Sequence, residues 1–227
     1  MGEDSVFKTS LFLAGPDGSD PFCCRGEAAS ALISKVPGLA GHVQSRTAEQ
    51  QVDPNTSSPF TGVAELWFAD LSAAAAADAA MPDDLLTPDT HVAASVVGMM
   101  RTVMRKPAFY DARAEDALVK GVFPFRCQEA LGAAAFQKYW WQTHGPLAAQ
   151  TEGALCYTQC HPPLAAYQQE KPPFDGITEL YWPDVAAARA AMSSRQMIEE
   201  QAVDSRNFAE PGSVILFLAT EEVVLAG

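Results

Sequence analysis

The stretch Phe60-Thr61-Gly62-Val63-Ala64-Glu65-Leu66-Trp67-Phe68-Ala69-Asp70 returns 114 residues later as Phe174-Asp175-Gly176-Ile177-Thr178-Glu179-Leu180-Tyr181-Trp182-Pro183-Asp184. Phe, Gly, Glu, Leu, a double aromatic and Asp recur at identical internal spacing, and each block runs into an alanine-rich segment. So many matches in register mark an internal repeat. Each block reads as a strand, and its closing Asp suits the N-cap of the helix that follows.

Working outward, Gly38 to Arg46 aligns on Gly153 to His161, with Gln44 on Gln159, His42 on Tyr157 and Arg46 on His161. Upstream, Val6 to Ala14 reads as a strand before a Gly15-Pro16-Asp17-Gly18 turn. Glu27 to Val36 reads as an amphipathic helix stopped by Pro37-Gly38, and Leu39 to Arg46 looks extended before the polar loop Asp53 to Pro59. Val92 to Met104 and Gly212 to Leu225 are both closing strands, rich in Val, Met and Leu.

Each half therefore runs strand–helix–strand–strand–helix–strand, the ferredoxin-like order. The expected fold class is α+β: two ferredoxin-like halves, βαββαβ twice, at residues 1–104 and 116–227 with a linker over 105–115. A four-stranded antiparallel sheet with helices on one side leaves its other face bare. Two such halves can bury those faces against each other as one barrel within the chain, helices outside.

The net charge of −13, with only 15 Lys and Arg in 227 residues, argues against nucleic acid and against an anionic membrane surface. No apolar stretch is long enough to span a bilayer, and Met1-Gly2-Glu3-Asp4 is acidic where a secretory leader would be basic. Five cysteines without framework spacing fit a reducing cytoplasm. The sequence has no Gly-rich phosphate loop, Gly-x-Ser-x-Gly elbow or His-Glu-x-x-His pair, so nucleotide, serine-hydrolase and zinc-protease chemistries find no support.

The candidate chemistry gathers in the second half. In Phe136-Gln137-Lys138-Tyr139-Trp140-Trp141-Gln142-Thr143-His144-Gly145-Pro146-Leu147, Phe136 and Trp140 share one helical face, and Gly145-Pro146 is expected to end the helix. His144 then sits in the last turn, either as a general acid/base or as a residue interacting with the helix dipole. Tyr157, Gln159 and His161 alternate along a strand and share a face, with Cys156, Thr158 and Cys160 on the other. Such a polar row lines a cavity or meets solvent, although Pro162-Pro163 leaves open that His161 has already left the strand. Glu179 and Glu65 occupy one repeat position, as a pocket carboxylate or as a shared structural hydrogen bond. Cys156 and Cys160 stand roughly 13 Å apart on a strand, and His161 faces away, so no metal site is expected. Trp140, Tyr181 and Trp182 are core or pocket wall.

The second half resembles the EthD family of the dimeric α+β barrel group. The likeness rests on Phe136-x-x-Tyr-Trp-x-x-x-His144-Gly-Pro-Leu147, Tyr157-Thr-Gln159-Cys-His161, Phe174-Asp-Gly-Ile-x-Glu179-Leu-x-Trp182 and Asp204-x-x-x-Phe208, and covers roughly Ala117 to Gly227. The first half is similar only in its third strand and element order, and Glu27 to Pro37 carries no counterpart of His144. The resemblance implies an apolar-lined pocket between helices and sheet. Relatives include cofactor-free isomerases, decarboxylases and dehydratases, with oxygenases and haem binders in the wider group.

The leading expectation is a cofactor-independent isomerase or lyase such as a dehydratase. It would act on a small apolar oxygenated, aromatic, lactone or polyketide-like metabolite. His144 would shuttle the proton, Tyr157 and Gln159 would hold the oxygen where charge develops, and Trp140, His161, Glu179 and Trp182 would contact the substrate. No cofactor and no metal are expected, and the chain is a pseudo-dimeric monomer or a higher homo-oligomer. The rival readings are an oxygenase or haem-handling barrel, and a non-catalytic binding or accessory protein of a degradation or secondary-metabolite pathway.

Overall fold

The structure is a computed structural model that describes residues 6–55, 57–114 and 118–225. The acidic amino terminus, Thr56 of the polar loop, the end of the expected linker and the last two residues lie outside the described residues. The first half comprises β1 (Phe7–Ala14), α1 (Gly26–Ile33), β2 (Leu39–Thr47), β3 (Gly62–Phe68), α2 (Leu71–Ala80) and β4 (His91–Arg105). Helix α3 (Pro107–Ala114) occupies most of the expected linker and buries Phe109 against Tyr181, ring centroids 5.1 Å apart. The second half begins with β5 (Val119–Phe125), α4 (Ala133–Tyr139), a π-helical turn at Trp140–His144 and α5 (Gly145–Ala148). It continues with β6 (Cys156–His161), β7 (Gly176–Trp182), α6 (Val185–Met192), a π-helical turn at Gln196–Gln201, α7 (Ala202–Ser205) and β8 (Phe217–Leu225).

The strands close into an eight-membered antiparallel barrel in the order β1-β3-β2-β8-β5-β7-β6-β4. Within each half the order is that of a ferredoxin-like sheet, and closure comes from the last strand of each half crossing to the other. Strand β4 pairs with β1 and then with β6, while β8 pairs with β5 and with β2. Among the described residues closure leaves no unpaired sheet edge, and the helices cover the outer face.

Every repeated residue has a place in this geometry. A Cβ on Gly62 would fall 2.5 Å from the Ser45 carbonyl oxygen, and one on Gly176 would fall 2.8 Å from the rings of Phe125 and Trp140, so neither position admits a side chain without a shift. Asp70 and Asp184 cap their helices, accepting from the Ala73 N–H at 3.0 Å and the Ala187 N–H at 2.7 Å. Phe60 and Phe174 plug one end of the barrel lumen with Phe12 and Phe217.

Glu65 and Glu179 project into the lumen, where they meet two lysines that are themselves repeat-related, Lys8 on β1 and Lys120 on β5. All four are essentially inaccessible to solvent. The Lys8 ammonium donates to Glu65 Oε1 at 2.6 Å and also to Glu179, and the Lys120 ammonium donates to Glu65 and lies 3.6 Å from Glu179. Ser45 donates to Glu65 at 2.9 Å, and Thr158 donates to Glu179 at 3.0 Å. Burial pushes the Glu65 pKa up, but the two ammoniums, Lys120 foremost, outweigh it and hold the group well below the usual carboxylate range. Burial raises the Glu179 pKa, and the neighbouring Glu65 charge adds to the rise. The repeated glutamate is thus the shared structural group that joins the two halves. The expectation that Glu179 touches substrate beside Tyr157 and Gln159 is corrected, because it points to the opposite face of the sheet.

Candidate functional site

The Gly145-Pro146 pair does not stop the helix as its sequence suggests. Gly145 keeps helical angles (φ −53°, ψ −55°) and its N–H reaches the Trp140 carbonyl five residues back, which makes the turn before it π-helical. Pro146 then occupies the first turn of α5, where its missing N–H costs no helical bond. The widened turn lowers the chain onto the sheet. A Cβ on Gly145 would lie 3.5 Å from Val103 and 3.6 Å from the Gln159 amide nitrogen. The apolar side of the helix behaves as its spacing predicts: Phe136 stacks on Trp140 at 5.5 Å, and Phe125 meets Trp140 edge-on at 5.0 Å.

His144 is buried at the end of this π turn. Its Nδ1 lies 2.8 Å from Asp204 Oδ2 on α7, and its ring meets Phe208 edge-on at 4.7 Å. The other Asp204 oxygen accepts from the Tyr139 hydroxyl at 2.6 Å and from Asn207 at 3.3 Å. Burial raises the Asp204 pKa, but these donors outweigh it, so the carboxylate stays ionised. A carboxylate can only accept, so His144 carries its proton on Nδ1, and Nε2 presents a lone pair. Burial lowers the His144 pKa although Asp204 opposes the shift, so the imidazole is neutral near pH 7.

The Tyr157, Gln159 and His161 row faces this helix. The Gln159 amide donates to the Trp140 carbonyl at 3.1 Å and to the Tyr157 hydroxyl at 2.6 Å. Its carbonyl lies 2.9 Å from His161 Nε2, which therefore donates and leaves Nδ1 bare, buried and without a partner. His161 remains in the strand, its ring 4.5 Å from that of Trp140. Burial, and then the charge of Arg101, lower its pKa to about 3. Trp182 stands behind Tyr157 in the core and donates from its indole to the Glu152 carbonyl at 3.2 Å. The structure thus gathers His144, Trp140, Tyr157, Gln159 and His161, backs them with Trp182, and excludes Glu179. Asp204, the partner that fixes the His144 tautomer, was legible only as a motif position. Its role depends on the second π turn carrying α7 back over the first.

In the first half the matching row makes other contacts, and His42 Nε2 and Gln44 Oε1 are buried without a partner. His42 bonds the Glu65 carbonyl at 3.0 Å, Gln44 donates to the Cys24 carbonyl at 3.2 Å, and Arg46 forks onto Asp20 at 2.9 Å. A cavity of about 880 Å³ opens beside Arg46, but its lining contains no His, Cys, Met or Tyr. A haem, which the barrel group admits, needs a cavity of porphyrin size with an axial ligand facing its iron. That cavity supplies no such ligand, and the His144 and His161 rings are packed against Phe208 and Trp140. The residues of the candidate site do not fit haem.

Residues 128–212 match the family model of the EthD domain, which bears out the resemblance of the second half. No curated protein matches the sequence significantly. Among solved structures, a candidate monooxygenase from Lactobacillus acidophilus NCFM aligns over 99% of this chain and 98% of its own, with 10% identity and a TM-score of 0.51. A candidate monooxygenase from Fusobacterium nucleatum aligns over 100% and 97% at 8% identity, TM-score 0.51. A candidate chlorite dismutase aligns over 97% and 96% at 12% identity, TM-score 0.50. These end-to-end matches bear out the α+β barrel. They also overturn the leading functional expectation of a cofactor-free isomerase or lyase, because the barrels so matched carry oxygenase and dismutase names.

Proposed function

We propose that the second half is an oxygenase site that uses dioxygen on a small, electron-rich hydroxyaromatic compound. The observation that carries this reading is the His144–Asp204 pair, a neutral, oriented base buried among aromatic rings in a barrel of the monooxygenase-like shape. His144 Nε2 takes the phenolic proton, and the resulting phenolate is a far better electron donor to dioxygen than the phenol. The O–O bond then breaks, one oxygen atom becoming the new C=O of a quinone and the other leaving as water. The sum, phenol plus O₂ giving quinone plus water, balances with all four electrons supplied by the phenol. His144 returns its proton to the departing hydroxide. The Gln159 relay fixes Tyr157 and His161, and burial that keeps the Tyr157 hydroxyl protonated leaves it a donor rather than a charge.

Oxygen-electrode assays with a panel of phenols, repeated for His144→Ala, test this reading. Uptake by the parent chain that collapses in the variant supports it, and no uptake with any phenol overturns it. The five free thiols support a reducing compartment such as the cytoplasm, and no helix among the described residues is long and apolar enough to cross a membrane. Closure of the barrel by one chain supports a monomer acting as a pseudo-dimer.

A further inference from the structure

Strand β4 belongs to the first half, yet its last turns run along β6 and bring Arg101 directly opposite Gln159. Directly opposed residues share a face of the sheet, so Arg101 lies on the helix side with Met99 opposite His161 beside it. Its guanidinium sits 5.0 Å from the centre of the Trp141 ring, and the Trp141 and His161 rings are 6.3 Å apart. Among the described residues the Arg101 side chain makes no hydrogen bond or ion pair. By contrast Arg46, also half-buried, is held by two carboxylates. A partly buried guanidinium without a carboxylate is a ready fork for an anionic oxygen. Next to it, His161 presents its bare Nδ1, an acceptor nine-tenths buried and lacking a donor. A cation and an orphaned acceptor side by side call for a ligand bearing both an anionic oxygen and a hydroxyl.

We propose that Arg101 is a specificity-determining residue supplied by the first half to the second-half site, and that the substrate is a small hydroxylated aromatic carboxylate. Its carboxylate sits on Arg101, one ring hydroxyl donates to His161 Nδ1, and a second hydroxyl is the one that His144 deprotonates. The proposal rests on the oxygenase reading for what happens to the ring, but not for how the ligand is held. It also explains why two unequal halves stay in one chain: β4 carries a group that the second half's own strands lack.

Titration calorimetry on the intact protein tests this with three probes: 3-hydroxybenzoate, its uncharged amide and benzoate. The acid should bind roughly tenfold or more tightly than the amide, the scale of a charge-assisted hydrogen bond. Arg101→Gln should erase that preference, and Arg101→Lys should keep part of it, with thermal melts confirming that both variants fold. Equal binding of acid and amide, no binding of the acid at millimolar concentration, or a preference surviving in Arg101→Gln overturns the proposal. Benzoate binding as tightly as 3-hydroxybenzoate overturns the His161 contact. An acid preference that depends on Arg101 in a protein consuming no oxygen removes the oxygenase reading and keeps the subsite, and oxygen uptake indifferent to the carboxylate does the reverse.

Discussion

Replacing Lys8 with Met removes one of two ammoniums from a fully buried four-residue cluster. In the parent chain Lys8 and Lys120 balance Glu65 and Glu179, and each lysine touches the carboxylate of the opposite half. With Lys8 gone, one carboxylate charge is left in the lumen with no counter-charge. Breaking a buried ion pair from one side costs about 3–5 kcal/mol. For a chain of this size that is a fall in melting temperature of roughly 6–20 °C. The group can escape only by protonating Glu179, whose pKa is already raised. A folded pKa above the unfolded value means that stability is lost as pH rises from the unfolded pKa through the folded one. The variant should therefore be penalised more at pH 8 than at pH 5. Adding Glu179→Gln restores the charge balance and leaves Thr158 a partner, so the double variant should be less destabilised than the sum of the singles. Urea titrations followed by tryptophan fluorescence at both pH values measure this cycle. A Lys8→Met cost under about 1 kcal/mol at pH 8, or additive singles, would refute the view that these charges join the halves.

Asp204→Asn keeps the shape at His144 but lets the amide reverse the imidazole tautomer. It should lower turnover by about 10²–10⁴-fold with little change in melting temperature, as read by oxygen uptake and calorimetry. His42, His144 and His161 all have pKa values lowered first by burial, so the unfolded chain binds the extra protons. Stability should fall as pH drops below about 6.5, and for His161 continue falling toward about 3. His161→Gln should flatten that slope in denaturant titrations between pH 6.5 and 4, and an unchanged slope would contradict the assignment. Gly62→Ala meets the unyielding Ser45 carbonyl and should cost about 1–3 kcal/mol of stability with normal turnover per folded molecule. Gly176→Ala presses instead on the Trp140 ring, whose backbone oxygen holds Gln159, so turnover should fall in parallel with stability.

The repeat made the fold legible because its shared residues serve the architecture: the glycines at close approaches, the aspartates as caps, the glutamates in the charge cluster, and the leucines with Phe68 and Trp182 in the cores beneath the helices. The alternation of Tyr157, Gln159 and His161 likewise told correctly which face they share. Glu179 was misassigned because strand periodicity says which residues face together but not which side of a sheet is the lumen. The helix stop at Gly145-Pro146 failed for a different reason. Proline lacks one donor, and a π turn that bonds five residues back sets Pro146 in the first turn of α5, where that donor is not needed. Asp204 and Arg101 could not be placed at all, since one depends on a second π turn and the other on β4 crossing between halves. The reaction class was misjudged for want of any residue pattern that separates proton transfer alone from proton transfer followed by oxygen chemistry.

The most direct test of the account is turnover of 3,5-dihydroxybenzoate and related phenols under ¹⁸O₂, in parent and His144→Ala protein. The account predicts one labelled oxygen in the organic product, one in water, and loss of both in the variant while its fold persists. Product formed without label, or labelled equally well by the variant, would contradict it.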